Sequence, residues 1–128
     1  MTYYFARTLD ADFEDAVART RAALQAEGFG VITEIDVTDT LKSKIGADFR
    51  PYRILGACNP RLAYEALQLE DKVGTMLPCN VVVQQIAPGK TEVAAIDPVA
   101  SMRAIDNPGL LEKAHLVGDK LKAVVTAI

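Results

Sequence analysis

The 128-residue sequence has no tryptophan, a single histidine and only two cysteines. One histidine, His115, excludes a histidine-rich zinc centre, and two cysteines with no C-x-x-C spacing give no support to a thioredoxin-type mechanism. An excess of charge is missing too: 14 Lys and Arg against 17 Asp and Glu leave a net charge of −3, with the signs interspersed. Nucleic-acid binding needs a basic face, so no nucleic acid is expected as a partner. No apolar run approaches the ~20 residues of a membrane span, so no membrane is expected either. The opening MTYYFARTLDADFED lacks the charged and apolar regions of a secretory signal. Two thiols in such a chain are expected to stay reduced and the protein to be cytoplasmic.

What is present is the composition of an ordinary globular protein, 50% hydrophobic and 24% charged. The length suits one domain, residues 1–128, large enough for a core without disulfide staples. TYYFART (Thr2–Thr8) reads as a strand. Asp12 is placed to cap a helix over Phe13–Glu27, in which Phe13, Val17, Thr20 and Leu24 follow helical spacing and Gly28 ends the run. FGVITEIDVTD alternates, with Val31, Thr33, Ile35 and Val37 on one face and Ile32, Glu34 and Asp36 on the other. A short helix, capped at Thr38 or Asp39, runs to Gly46.

YRILGAC (Tyr52–Cys58) is a third strand. Asn59 then suits an N-cap and Pro60 the first helical position of a helix reaching Glu70. KVGTMLP reads as a loop. CNVVVQQIA and TEVAAID are strands joined by APGK, where Pro88-Gly89 suits a type II turn. A polar connection with room for one helical turn leads to the last helix, striped by Leu110, Ala114, Val117, Leu121, Val124 and Ile128. The order predicts an α+β fold: a mostly antiparallel five-stranded sheet, one face polar, the other covered by two long helices, with short helices inserted between strands.

Cys58 closes the third strand and Cys79 opens the fourth. If those strands are antiparallel neighbours, the two sulfurs meet at one end of the sheet. Cys58 also precedes a helix N-terminus, where the dipole and Arg61 favour a thiolate, while alternation sends Arg53 to the other face. Cys58, Cys79, Asn59 and Arg61 are therefore one candidate thiol or ligand site. The competing reading makes both cysteines small core residues. Glu34 and Asp36, roughly 7 Å apart by strand rise, form a candidate acidic face for a metal or for acid–base chemistry, set against a plain solvated face. Asn80 reads as polar-out alternation, and Tyr3, Tyr4, Tyr52 and Tyr64 as core residues with wetted hydroxyls, set against the lining of a pocket. Ser43 and Ser101 have no triad context, and no catalytic set assembles.

TEID (Thr33–Asp36), YRILGACNP (Tyr52–Pro60), LPCNVVV (Leu77–Val83) and IDP (Ile96–Pro98) resemble, in order, the signature segments of domain-of-unknown-function family 302. The resemblance implies a TATA-binding-protein-like fold with a β-α-β₄-α core, and no activity. Fold similarity to a DNA-binding class transfers no DNA binding. Three functions follow in order of preference: a non-catalytic module, homodimeric or a small homo-oligomer, binding a small molecule or a protein partner; a thiol-dependent redox or ligand-transfer protein using Cys58 and Cys79; and a metal-binding protein using a cysteine with Glu34, Asp36 or His115. The sequence leaves the cofactor unknown.

Overall fold

The computed structural model describes residues 2–128. The chain runs β1 (Tyr4–Leu9), α1 (Phe13–Ala26), β2 (Gly30–Asp36), α2 (Val37–Ile45), β3 (Tyr52–Cys58), α3 (Pro60–Leu69), a 3₁₀ helix (Asp71–Met76), β4 (Cys79–Ala87), β5 (Lys90–Ile96), α4 (Pro98–Ser101) and α5 (Pro108–Ala127). Local chemistry sets most of these boundaries. Asn59 Oδ1 accepts the Leu62 N–H at 3.2 Å, and Asn107 Oδ1 accepts the Leu110 N–H at 3.1 Å, so α3 and α5 both start on an Asn cap followed by Pro. α2 ends at Gly46, whose φ of +67° is a left-handed C-cap. Gly89 takes φ +71° in the predicted turn between β4 and β5.

Two caps differ from expectation. Asp12 occupies the N-cap of α1 but its side chain accepts no capping hydrogen bond. Asp36, not Thr38 or Asp39, caps α2, its Oδ1 accepting the Asp39 N–H at 2.9 Å. The stretch predicted as a loop before β4 holds the 3₁₀ helix.

The five strands form one antiparallel sheet in the order β1-β5-β4-β3-β2. α1 and α5 lie together on one face. Val17 and Leu24 from α1, and Leu121 and Val124 from α5, meet Leu55, Val81, Val83 and Val93 of the sheet in the main core. Thr20 lies in the α1 stripe and is fully buried because its hydroxyl donates to the Ala16 carbonyl at 2.7 Å. The predicted α5 stripe is apolar and packed as expected, with Val117 half-buried and the other five residues buried.

The other face of the sheet is less polar than predicted. It presents Tyr4, Ile35, Ile54, Val82 and Ile96 beside Asn80, Gln84 and Glu92, and among the described residues no helix covers it; Tyr4 and Ile35 are exposed. The alternation of β2 is also corrected. A bulge between Val31 and Thr33 breaks the register: Val31 pairs with Ala57, Thr33 with Gly56, Glu34 with Leu55 and Asp36 with Arg53. Ile32 is the extra residue. Val31, Glu34 and Asp36 therefore share the helix-covered face, and Thr33 and Ile35 point the other way.

A second, smaller cluster joins α3, the 3₁₀ helix, α4 and the start of α5 through Ala66, Val73, Met102, Leu110 and Ala114. The seam between this cluster and the main core falls at the end of β3 and the beginning of β4.

Candidate functional site

The two sequence candidates occupy opposite ends of β3. At the Arg53 end, Glu34 and Asp36 do share a face, but basic side chains fill it. Arg53 Nη1 lies 2.8 Å from Glu14 Oε1 and 3.3 Å from Glu34 Oε1, and Arg53 Nη2 lies 3.8 Å from Asp36 Oδ2. Arg21 pairs with Glu34 as well, and the Arg53 guanidinium sits 5.0 Å from the centre of the Phe13 ring. Asp36 is further occupied as the α2 cap. Both carboxylates of the candidate acidic face therefore already have basic partners. Among the described residues no group of three or more His, Cys, Asp or Glu is placed to hold a metal ion.

At the Cys58 end there is a cavity of about 310 Å³. Its floor is the sheet end: Ala57 and Cys58 of β3, with Leu77, Pro78 and Cys79 leading into β4. Ala57 pairs with Cys79 across the antiparallel β3–β4 ladder, and Cys58 with Gly30. The α3 wall is Leu62, Ala63, Ala66 and Leu67, and the α5 wall Leu110, Lys113, Ala114 and Val117. Met102 and Pro98 close one side and Phe29 another. The volume has a simple origin. Ala57, Ala63, Ala66, Ala114 and the two cysteines are small side chains facing one another, so the elements meet without filling the space between them.

Both cysteines line this cavity and neither forms a disulfide. Cys79 is buried in the main core. Burial, and secondly the nearby Cys58, push its thiol up to about 11, so it is protonated at neutral pH. Cys58 is partly exposed. Asn59 also lines the cavity while capping α3. Its amide nitrogen lies 3.2 Å from where a Cβ on Gly28 would sit, and Gly28 itself has φ +85°. The exit of α1 and the entry of α3 are thus packed against each other at that point. Arg61 is exposed and lies outside the cavity lining, as does the exposed His115.

Gly56 shows how close the packing is beside the cavity. A Cβ there would collide with Thr33 Oγ1 and come within 2.8 Å of Pro78 Cγ. Tyr3, Tyr4 and Tyr52 line a separate groove on the uncovered sheet face together with Asn80, and Tyr64 is exposed on α3.

Sequence reasoning missed the α3 and α5 walls and, with them, Lys113. Lys113 Nζ lies 3.0 Å from Glu65 Oε2, joining α5 to α3. The available signal was its position between Leu110 and Ala114 of the stripe, together with the alanines at 63 and 66.

The geometry is that of an apolar container with two thiols, the Asn59 side chain and one lysine in its lining. It can hold an organic molecule by burial; it contains no nucleophile–base–orienter set.

Comparison with other proteins adds family and fold. No curated protein matches the chain. A crystal structure of an uncharacterized conserved protein DUF302 from Bacillus stearothermophilus superposes with a TM-score of 0.91 at 30% identity, covering 99% of this chain and 98% of that one. The profile of the family described as Domain of unknown function DUF302 matches residues 5–128. The order of segments around Cys58 and Cys79, the β-α-β₄-α core and these two matches agree: the chain belongs to the DUF302 family.

Proposed function

We propose that the protein is a non-catalytic binding module that holds a small, largely apolar molecule in the cavity between α3, α5 and the Cys58–Cys79 end of the sheet. The observation that carries this reading is the cavity itself: about 310 Å³ and walled almost wholly by hydrocarbon. Ligand sites are typically of this kind, apolar with a few polar groups that fix orientation. The thiol-dependent reading has less behind it, because Cys79 is held protonated and only Cys58 is partly exposed.

The two free thiols favour a reducing compartment, and we place the protein in the cytoplasm. No helix among the described residues is long and apolar enough to cross a membrane. Self-association with a second copy belongs to the same reading. Its support is the uncovered sheet face, roughly 24 by 20 Å from strand spacing and rise, which is the size of a weak, transient interface.

The test is a titration with 1-decanol, a neutral apolar probe, followed by amide chemical shifts. Saturable shifts confined to Cys58, Ala63, Ala66, Ala114 and their neighbours are expected, and Ala63→Phe, which fills the cavity, should abolish them. Shifts that do not saturate, or that survive Ala63→Phe unchanged, contradict the reading.

A further inference from the structure

The cavity is lined by apolar side chains and two thiols apart from Asn59 and Lys113. Of the residues lining it, Lys113 alone carries a charge. Its side chain is 30% exposed and that of its partner Glu65 39%, so the ion pair sits at the rim, bridging the two helical walls. An ammonium has three donors, and one carboxylate leaves capacity for a second acceptor. No charged side chain reaches the interior, so whatever enters deeply must be hydrocarbon.

Resting on the binding reading above, we propose that the ligand is a single-chain amphiphile with a monoanionic head: a medium-chain carboxylate, its tail in the cavity and its carboxylate on Lys113. Two features select this class. At roughly 30 Å³ per small group in a liquid, the 310 Å³ cavity holds about ten such groups, the size of an eight- to twelve-carbon chain. Lys113 is the one charged residue of the lining, and its ammonium, paired with a single carboxylate, has donors left for a second one. Binding exchanges the Lys113–Glu65 contact for a shared one, so the rim pair sets affinity for the head and the alanine walls set affinity for the tail.

The experiment titrates decanoate and 1-decanol into the full-length protein and into Lys113→Met and Glu65→Gln, reading amide shifts, with the unliganded spectra confirming the fold. Lys113→Met should lower decanoate affinity about tenfold, the effect of losing a charge-assisted hydrogen bond, and leave decanol affinity unchanged. Glu65→Gln should raise decanoate affinity a few-fold and again leave decanol unchanged. If decanol binds in the cavity but the decanoate-to-decanol ratio is the same in all three proteins, the anionic head is wrong and the apolar site stands. If neither probe binds the wild-type protein, both proposals fall.

Discussion

The two ends of β3 are finished in different ways. At Arg53 the space between sheet and helices is closed by charge: one guanidinium contacts three carboxylates and an aromatic ring. At Cys58 the corresponding space is lined by alanines and cysteines and left open. A sheet end can be sealed by a long side chain that satisfies its own charge locally, or it can be bounded by side chains too small to meet. The first solution builds structure and leaves no room. The second leaves volume, and volume with dry walls is what a ligand needs. Acidic residues in a sequence therefore point less reliably to a site here than runs of small residues on facing elements.

The largest expected effect separates the two ends by pH. Cys79 titrates near 11 in the fold, against 9.0 for an unperturbed thiol. Its folded pKa is raised, so the stability it confers is complete below pH 9 and is lost as pH climbs through 11. Two pKa units correspond to roughly 2–3 kcal/mol. Urea unfolding of the wild type and of Cys79→Ala between pH 8 and 11 should show the gap between them closing by that amount. A constant gap would mean that the Cys58 end is wetter than described.

Next in size is a contrast in tolerance. Ala16 is fully buried in the main core, so Ala16→Phe should cost about 1–3 kcal/mol by overpacking. Ala63 borders the cavity, so Ala63→Phe should be neutral or stabilising by up to ~1 kcal/mol. Equal losses in thermal unfolding would erase the distinction between a filled and an open region.

The smallest effect belongs to the charged end. Arg53→Ala should cost about 1 kcal/mol, since the cluster is partly solvated, and 1 M salt should remove much of that difference. Decanol binding should be untouched by it.

How much of this was legible follows from where each signal resides. The α5 stripe could be read because helical periodicity is local to one segment. That Cys58 and Cys79 line one cavity follows from a strand, a helical excursion and a strand placing the turnaround ends together. The bulge at Ile32 could not, because a register shift is a relation between β2 and β3 rather than a property of either. The same holds for the acidic face: Glu34 and Asp36 look free until Arg21 and Arg53, from α1 and β3, are brought onto them. Lys113 does not stand out in the sequence because its ion pair depends on α3, a helix far away in sequence. The apolar character of the uncovered sheet face was hidden by Asn80, Gln84 and Glu92 lying among its hydrophobic residues.

The most direct test of the central claim is a crystal structure of the protein grown with 1-decanol. The account predicts a continuous chain of density between Ala63 and Ala66 on one side and Ala57 and Ala114 on the other, with the Arg53 cluster unchanged. A cavity closed by inward movement of Leu67 and Met102, with the probe elsewhere or absent, would contradict it.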